Sequence, residues 1–242
     1  MHKIFLDPNF ISDCQIQIVG DDFNHIKALR KKVGDQIIIC DGNLNDYFCS
    51  VCQISKSEAV LNVTQIQKSN TEPAKKIYLF QAMPKADKFE IIIQKAVELG
   101  VYKIVPVICE HCDVKNPPSD NKFARWHKIS KSAAEQSGRG IIPQISQAMD
   151  FTDAIDFVQN NSLDFNIIAH EKASLPIKNL RDRLPSANSI GIFVGPEGGF
   201  SQNEIDFASQ NNINAVSLGK RILRTETASL FLLSLITFET DF

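Results

Sequence analysis

Ile190-Gly191-Ile192-Phe193-Val194-Gly195-Pro196-Glu197-Gly198-Gly199-Phe200-Ser201 decides how this chain folds. The first five residues are a continuous apolar run, the pattern of a strand covered on both faces. The next six carry three glycines, which let a backbone approach a ligand closely and take positive φ. Ser201 and Glu204 then have the spacing of a capping box, so a helix starts there. Strand, glycine-rich loop and helix in that order make one β–α unit of an open sheet, and such sheets bind ligands at the carboxyl ends of their strands. An ordinary β–α turn does not need that many glycines. No Gly-Lys-Ser/Thr follows as in a P-loop, and the spacing does not fit G-x-G-x-x-G.

The same alternation extends outward on both sides. Residues 77–83, 103–109, 166–169 and 215–218 read as further strands. Residues 87–99 read as a helix opened by an Asp87/Glu90 capping box and stopped by Gly100. Residues 119–137 form another, with Phe123, Trp126, Ile129 and Ala133 on one stripe. Residues 225–239 are apolar nearly all round, which predicts a buried helix. Alternating strands and helices imply a parallel sheet with helices on both faces. Between the last strand and the last helix lies a second loop, Leu218-Gly219-Lys220-Arg221-Ile222-Leu223-Arg224-Thr225-Glu226-Thr227-Ala228. Three basic residues at the ligand end of a sheet suggest contact with an anionic group.

The first seventy residues differ. Short strand-like runs at 3–6, 15–19, 36–40, 47–54 and 59–67 surround one helix at 22–32, with a hairpin signal at Asp41-Gly42-Asn43. This pattern predicts a small β-barrel, and 69–73 a linker. The expected domains are therefore 1–72 and 73–242.

Composition narrows the class. The chain has 242 residues, 43% of them hydrophobic, and a formal net charge of −2, which argues against a broad nucleic-acid surface. Local basic clusters remain: Lys27, Arg30, Lys31 and Lys32, and a stretch from Lys122 through Arg125, Lys128 and Lys131 to Arg139. Each reads as a solvated helix face or as a grip on a few phosphates. No apolar stretch reaches the ~20 residues of a membrane span and no leader pattern opens the chain, so a cytoplasmic protein is expected. Cys49/Cys52 and Cys109/Cys112 imitate a four-cysteine zinc site. Residues three apart on a strand face opposite ways, so no metal is expected.

Taken together, GPEGGF at 195–200 and LGKRILRTETA at 218–228 resemble the ribosomal RNA small subunit methyltransferase E family, of the SPOUT methyltransferases. QKAVELGV at 94–101, RWHKISKSAAEQSGR at 125–139 and HIKALRKKVGD at 25–35 resemble further motifs of that family, in order and at its spacing. The resemblance implies an α/β fold with a SPOUT-type parallel sheet and a C-terminal trefoil knot, preceded by a PUA-like β-barrel. It implies a homodimer, S-adenosyl-L-methionine as methyl donor, and a 16S ribosomal RNA uridine, methylated at N3, as acceptor in the small ribosomal subunit. By the same resemblance the adenosyl group meets Gly195, Pro196, Glu197, Gly198 and Gly199 and also Leu218, Gly219, Ile222, Leu223 and Arg224, with His170 bordering the site. The chain departs from the family at Glu110-His111-Cys112, where Glu-Arg-Ser is usual, and at His2 and Lys3, where an arginine pattern is usual.

The chemistry asks for one more group. Uridine N3 becomes a nucleophile when its proton leaves, and negative charge then spreads onto O2 and O4, where a fixed arginine stabilises it. Arg224 is the first candidate, with an ion pair to Glu226 as its competing role. Glu197 and Glu226 are both possible bases. A non-catalytic RNA-binding protein, a methyltransferase of another RNA nucleotide and a nucleotide-dependent enzyme fit the residues too; affinity for the methyl donor separates the first and the last, and the modified nucleoside separates the second.

Overall fold

A computed structural model describes residues 1–184 and 186–241. It divides into two compact units, one of Met1–Glu72 with Lys131–Ile142 and one of Pro73–Ser130 with Pro143–Phe242.

In the first unit β1 (Lys3–Phe5), β2 (Gln15–Val19), β3 (Gln36–Cys40), β4 (Asn45–Ile54) and β5 (Glu58–Lys68) pair in the order β1-β3-β4-β5-β2. β1 runs parallel to β3 and the other pairs are antiparallel. Alternation decides the inner face: in β2, Ile16 and Ile18 are buried while Gln15, Gln17 and Val19 are exposed. Inward residues of all five strands, among them Ile4, Ile18, Ile39, Val51 and Leu61, meet in one core with Phe23 and Ile26 of α1 (Gly20–Ala28), so the sheet curls around the helix. The helix stops short of the predicted Lys32, because Arg30 takes φ 54° and leaves helical geometry. Lys3 is buried; its ammonium lies 2.7 Å from Asp46 and donates to the Gly138 carbonyl at 2.9 Å, so this departure from the family pattern anchors the unit's own segments.

The second unit is built from β6 (Lys76–Ala82), α2 (Lys88–Glu98), β7 (Lys103–Ile108), the first part of α3 (Asp120–Ser137), β8 (Gln144–Ile145), β9 (Met149–Asp150), α4 (Phe151–Asn160), β10 (Phe165–Ala169), β11 (Ser189–Val194), α5 (Gln202–Gln210), β12 (Asn214–Val216) and α6 (Thr225–Asp241). All its strand pairs are parallel, in the order β12-β10-β11-β6-β7-β8 with β9 also on β7. The predicted stretch 190–194 is thus the middle of the sheet, covered on both faces; Phe193 stacks on Phe80 with ring centroids 4.2 Å apart. On α2, Phe89, Ile92, Ile93, Ala96 and Val97 are buried at helical spacing. Gly100 ends that helix at φ 86°, and a Cβ there would sit 2.4 Å from Pro73.

Two details correct the sequence reading. The Asp87/Glu90 box does not form: Asp87 makes no side-chain cap bond, and Glu90 instead takes the Arg125 guanidinium at 2.7 Å. α6 is not buried all round, since Phe231 is 41% and Phe238 61% exposed.

Candidate active site

Three loops at the carboxyl ends of adjacent parallel strands enclose a cavity of about 460 Å³. After β10 come His170 and Glu171; after β11 come Gly195, Pro196, Glu197, Gly198 and Gly199; after β12 come Leu218 through Arg224, leading into α6. The sequence-predicted residues His170, Gly195 to Gly199, Leu218, Gly219, Ile222, Leu223 and Arg224 therefore share one space.

Backbone geometry explains the glycines. Gly199 lies at φ 69°, its N–H donating to the Pro196 carbonyl at 3.0 Å in a tight turn. A Cβ on Gly195 would come within 3.2 Å of the Gly199 backbone, and one on Gly198 within 3.0 Å of His111. The Ser201/Glu204 box forms with both of its bonds and fixes the start of α5 just past the loop. The buried Glu204 also reaches beyond the box, since its other oxygen accepts from the Glu110 N–H at 2.8 Å and ties down the turn after β7. In that turn His111 Nδ1 stands 3.1 Å from the Gly198 carbonyl and 3.2 Å from that of Gly199. The departure at this position is thus a brace on the glycine loop.

A buried polar network, unseen from the sequence, ties the glycine loop to α6. Thr225 Oγ1 donates to the Gly195 carbonyl at 2.6 Å and accepts from Gln81 Nε2 at 2.9 Å; Ser229 Oγ bonds the other end of that amide. Gln81 is fully buried. Such groups are costly to bury unpaired, so the network specifies one arrangement of the loops.

The charged groups at the cavity bear on two open roles. Glu226 lies 3.7 Å from Lys88, and among the described residues Arg224 has no ion pair, so the arginine is not spent on that neighbour. Glu197 accepts from Lys88 at 2.6 Å and from the Lys85 N–H. Burial works to raise the Glu197 pKa, yet the hydrogen bonds from Lys88 and the backbone outweigh it, and the net shift is downward. A carboxylate held in its charged form is a poor proton acceptor and a good counter-charge. His170 is 9% exposed, with its backbone N–H on the Val216 carbonyl at 3.0 Å. Ile222, at the rim, is 85% exposed. Lys88 joins the cavity from α2 and gave no sequence signal beyond being one lysine among many.

The basic residues have unequal fates. Lys27, Arg30 and Lys32 are exposed and Lys31 half-buried, with Lys27 over the Phe23 ring at 4.9 Å and Lys31 donating to the Gln36 carbonyl at 2.8 Å. Arg125 is exposed but paired with Glu90. Arg139 is 3% exposed and holds Glu72, so the phosphate role expected for it gives way to a structural one: a buried, paired guanidinium is expensive to release. Of the cysteines, Cys49 is buried in the first unit on β4, where register shifts interrupt the ladder. Cys109 and Cys112 sit in the turn after β7, with the Cys109 N–H 3.3 Å from Cys112 Sγ. That second pair lies on a turn rather than at a strand end.

Comparison with known proteins gives these loops a context. The RNA methyltransferase domain family matches residues 70–237, and the RNA methyltransferase PUA domain family matches residues 18–64. The chain is 34% identical to ribosomal RNA small subunit methyltransferase E of Bacillus subtilis, over 93% of this chain and 90% of that protein. It is 35% identical to the protein of the same name from Mesomycoplasma hyopneumoniae, over 87% and 88% of the two chains. Among solved structures it is similar to a ribosomal RNA small subunit methyltransferase E from Neisseria gonorrhoeae bound to S-adenosyl methionine, with TM-score 0.89, 29% identity and coverage of 98% and 97%. A Legionella pneumophila methyltransferase in complex with SAM superposes with TM-score 0.85 at 29% identity, covering 98% and 96%.

Proposed function

The chain belongs to the ribosomal RNA small subunit methyltransferase E family, and we propose that it moves a methyl group from S-adenosyl-L-methionine to N3 of a uridine in 16S ribosomal RNA. One observation carries the donor: the cavity is lined by backbone with little room for a side chain at Gly195 or Gly198, with the Glu197 carboxylate beside it. That suits a flat adenosyl group against main chain and a sulfonium near a carboxylate. The two similar structures that hold the methyl donor support the same assignment.

The bound donor supplies an electrophilic methyl group, so the residues here mainly orient and stabilise. His170, Gly195 to Gly199, Leu218, Gly219, Ile222 and Leu223 hold the adenosyl group. Arg224, exposed and without an ion pair among the described residues, serves the charge that develops on uracil oxygen as N3 gives up its proton. Residues 1–72 act as the PUA-like RNA-binding domain and 73–242 as the knotted SPOUT domain. Lys27, Arg30, Lys31, Lys32 and Arg125 contact RNA phosphates.

The enzyme works as a homodimer in the cytoplasm. The exposed Phe231 and Phe238, seven apart on one face of α6, support a second copy there. Calorimetry with the donor, followed by mass spectrometry of nucleosides from small-subunit RNA treated with the protein, tests the assignment. Donor binding and 3-methyluridine are expected; a protein that binds no donor, or that methylates another nucleotide, refutes it.

A further inference from the structure

Resting on that reading, we infer that Lys88 is a second cationic catalytic residue, lining the same cavity as Arg224 and taking up negative charge on the reacting uracil. The other residues lining the cavity come from the loops after β10, β11 and β12, the ends of those strands and the first turn of α6. Lys88 alone among them comes from α2, on the far side of the glycine loop in sequence. Its ammonium is fixed rather than loose: 2.6 Å from Glu197 Oε1 and 3.7 Å from Glu226 Oε2.

The bond count leaves capacity for a ligand. An ammonium has three donors. Glu197 uses one, and 3.7 Å to Glu226 is too long for a second hydrogen bond. Among the described residues, two N–H groups are therefore open on a side chain at the cavity wall. The Glu197 hydrogen bond, outweighing burial, raises the Lys88 pKa, with further help from the charges of Glu197 and Glu226. The group stays protonated and acts as a donor, never as a base. Arg224 lies close enough for its charge to oppose that protonation. Two cations lining one cavity gain most when negative charge arrives between them.

Uracil supplies such charge in the matching form. When N3 loses its proton, the charge divides between O2 and O4, which flank N3. A guanidinium can meet one oxygen and an ammonium the other. The N3–carbon bond forms as the sulfur–carbon bond breaks, the electron pair stays on sulfur, and the N3 proton passes to bulk water.

The test uses the full-length protein, saturating donor and RNA, and two variants. Lys88→Met should lower kcat at saturating donor by roughly 10²-fold, the usual cost of losing one preorganised donor, a loss larger than any change in donor Kd. Lys88→Arg, which keeps charge and donors, should recover a large part of the rate. The deciding measurement repeats both with 5-fluorouridine at the target position, whose N3 is more acidic. There the Lys88→Met defect should shrink by about tenfold, because less charge stabilisation is asked of the protein. If Lys88→Met instead weakens donor binding and leaves kcat intact, the lysine only braces Glu197. An equal defect on both RNAs also overturns the assignment. A wild-type protein that methylates no uridine refutes the functional reading, and this inference with it; an active wild type with an unimpaired Lys88→Met variant refutes this inference alone.

Discussion

Single residues at the cavity have consequences out of proportion to their size. Gly199 occupies φ 69°, where a β-branched side chain is strained by roughly 1–3 kcal/mol. Gly199→Val should therefore fold with a displaced loop and bind the methyl donor at least about tenfold more weakly, since each 1.4 kcal/mol is a factor of ten. Unchanged affinity by calorimetry would remove this loop from the donor site. The turn that braces the loop carries a titration of its own. Hydrogen bonding to Cys109, stronger here than the opposing effect of burial, lowers the Cys112 pKa to about 7 from an ordinary value of 9.0. Cys109 is pushed up by the same hydrogen bond and by burial, so the pair gives up one proton. An acid with a lowered folded pKa stabilises the fold fully above its unfolded pKa and loses that contribution as pH falls through the folded one. Stability should accordingly rise between about pH 7 and pH 9 by an increment that Cys112→Ser removes. Thiolate ultraviolet absorbance followed with pH should show one thiolate forming near neutrality in the wild type and none in the variant.

At the level of elements, the start of α6 depends on contacts between distant segments. Thr225→Val keeps the shape of the side chain but strands the half-buried Gly195 carbonyl at the cavity and one N–H of the buried Gln81 amide. Thermal denaturation should show a loss of about 1–3 kcal/mol, the cost of unmade buried bonds, and donor affinity should fall with it. A variant as stable as wild type would show that water replaces the hydroxyl. This network marks where sequence reading stops. The β–α alternation was legible because strands covered on both faces are continuous apolar runs, and the Ser201/Glu204 box because its partners are local. Asp87/Glu90 has the same spacing, yet Glu90 turns to Arg125, a partner 35 residues away. β8 and β9, two residues each, are too short to carry a pattern, and α4 passed unread. Gln81 and Ser229 meet across 148 residues, and Lys88 reaches Glu197 across 109, so neither contact leaves a periodic trace. Apolarity of α6 was readable, but not what covers it. Since Phe231 and Phe238 are exposed, replacing both by Glu should turn a dimer into a monomer in sedimentation equilibrium; a variant that stays dimeric places the interface elsewhere.

For the whole molecule the question is how a chain of net charge −2 holds a polyanion. Several of its cationic groups are engaged with its own acids: Lys3 with Asp46, Arg125 with Glu90, Arg139 with Glu72, Lys88 with Glu197. In the first unit Lys27, Arg30 and Lys32 are exposed together, with Lys31 beside them, whereas the exposed Lys56 and Lys68 stand apart in the sequence. A few such cations suffice, because each phosphate neutralised releases counterions, and that release drives binding. The donor cavity, in contrast, is lined wholly by residues of the second unit. RNA grip and methyl transfer should therefore separate under mutation. Reversing Lys27, Arg30 and Lys32 to Glu should weaken RNA binding for all sequences alike and flatten its dependence on salt, by about 0.7–0.9 in the logarithmic slope for each phosphate no longer neutralised. Donor affinity should not change. Arg224→Ala should do the opposite, sparing RNA affinity while methyl transfer collapses at saturating RNA, since an interaction that is strongest in the transition state appears in kcat. Filter binding across a salt series, run beside single-turnover methylation, distinguishes the two. If the triple reversal leaves the salt slope where it was, these residues are a solvated helix end, and the RNA is held by other cations of the chain.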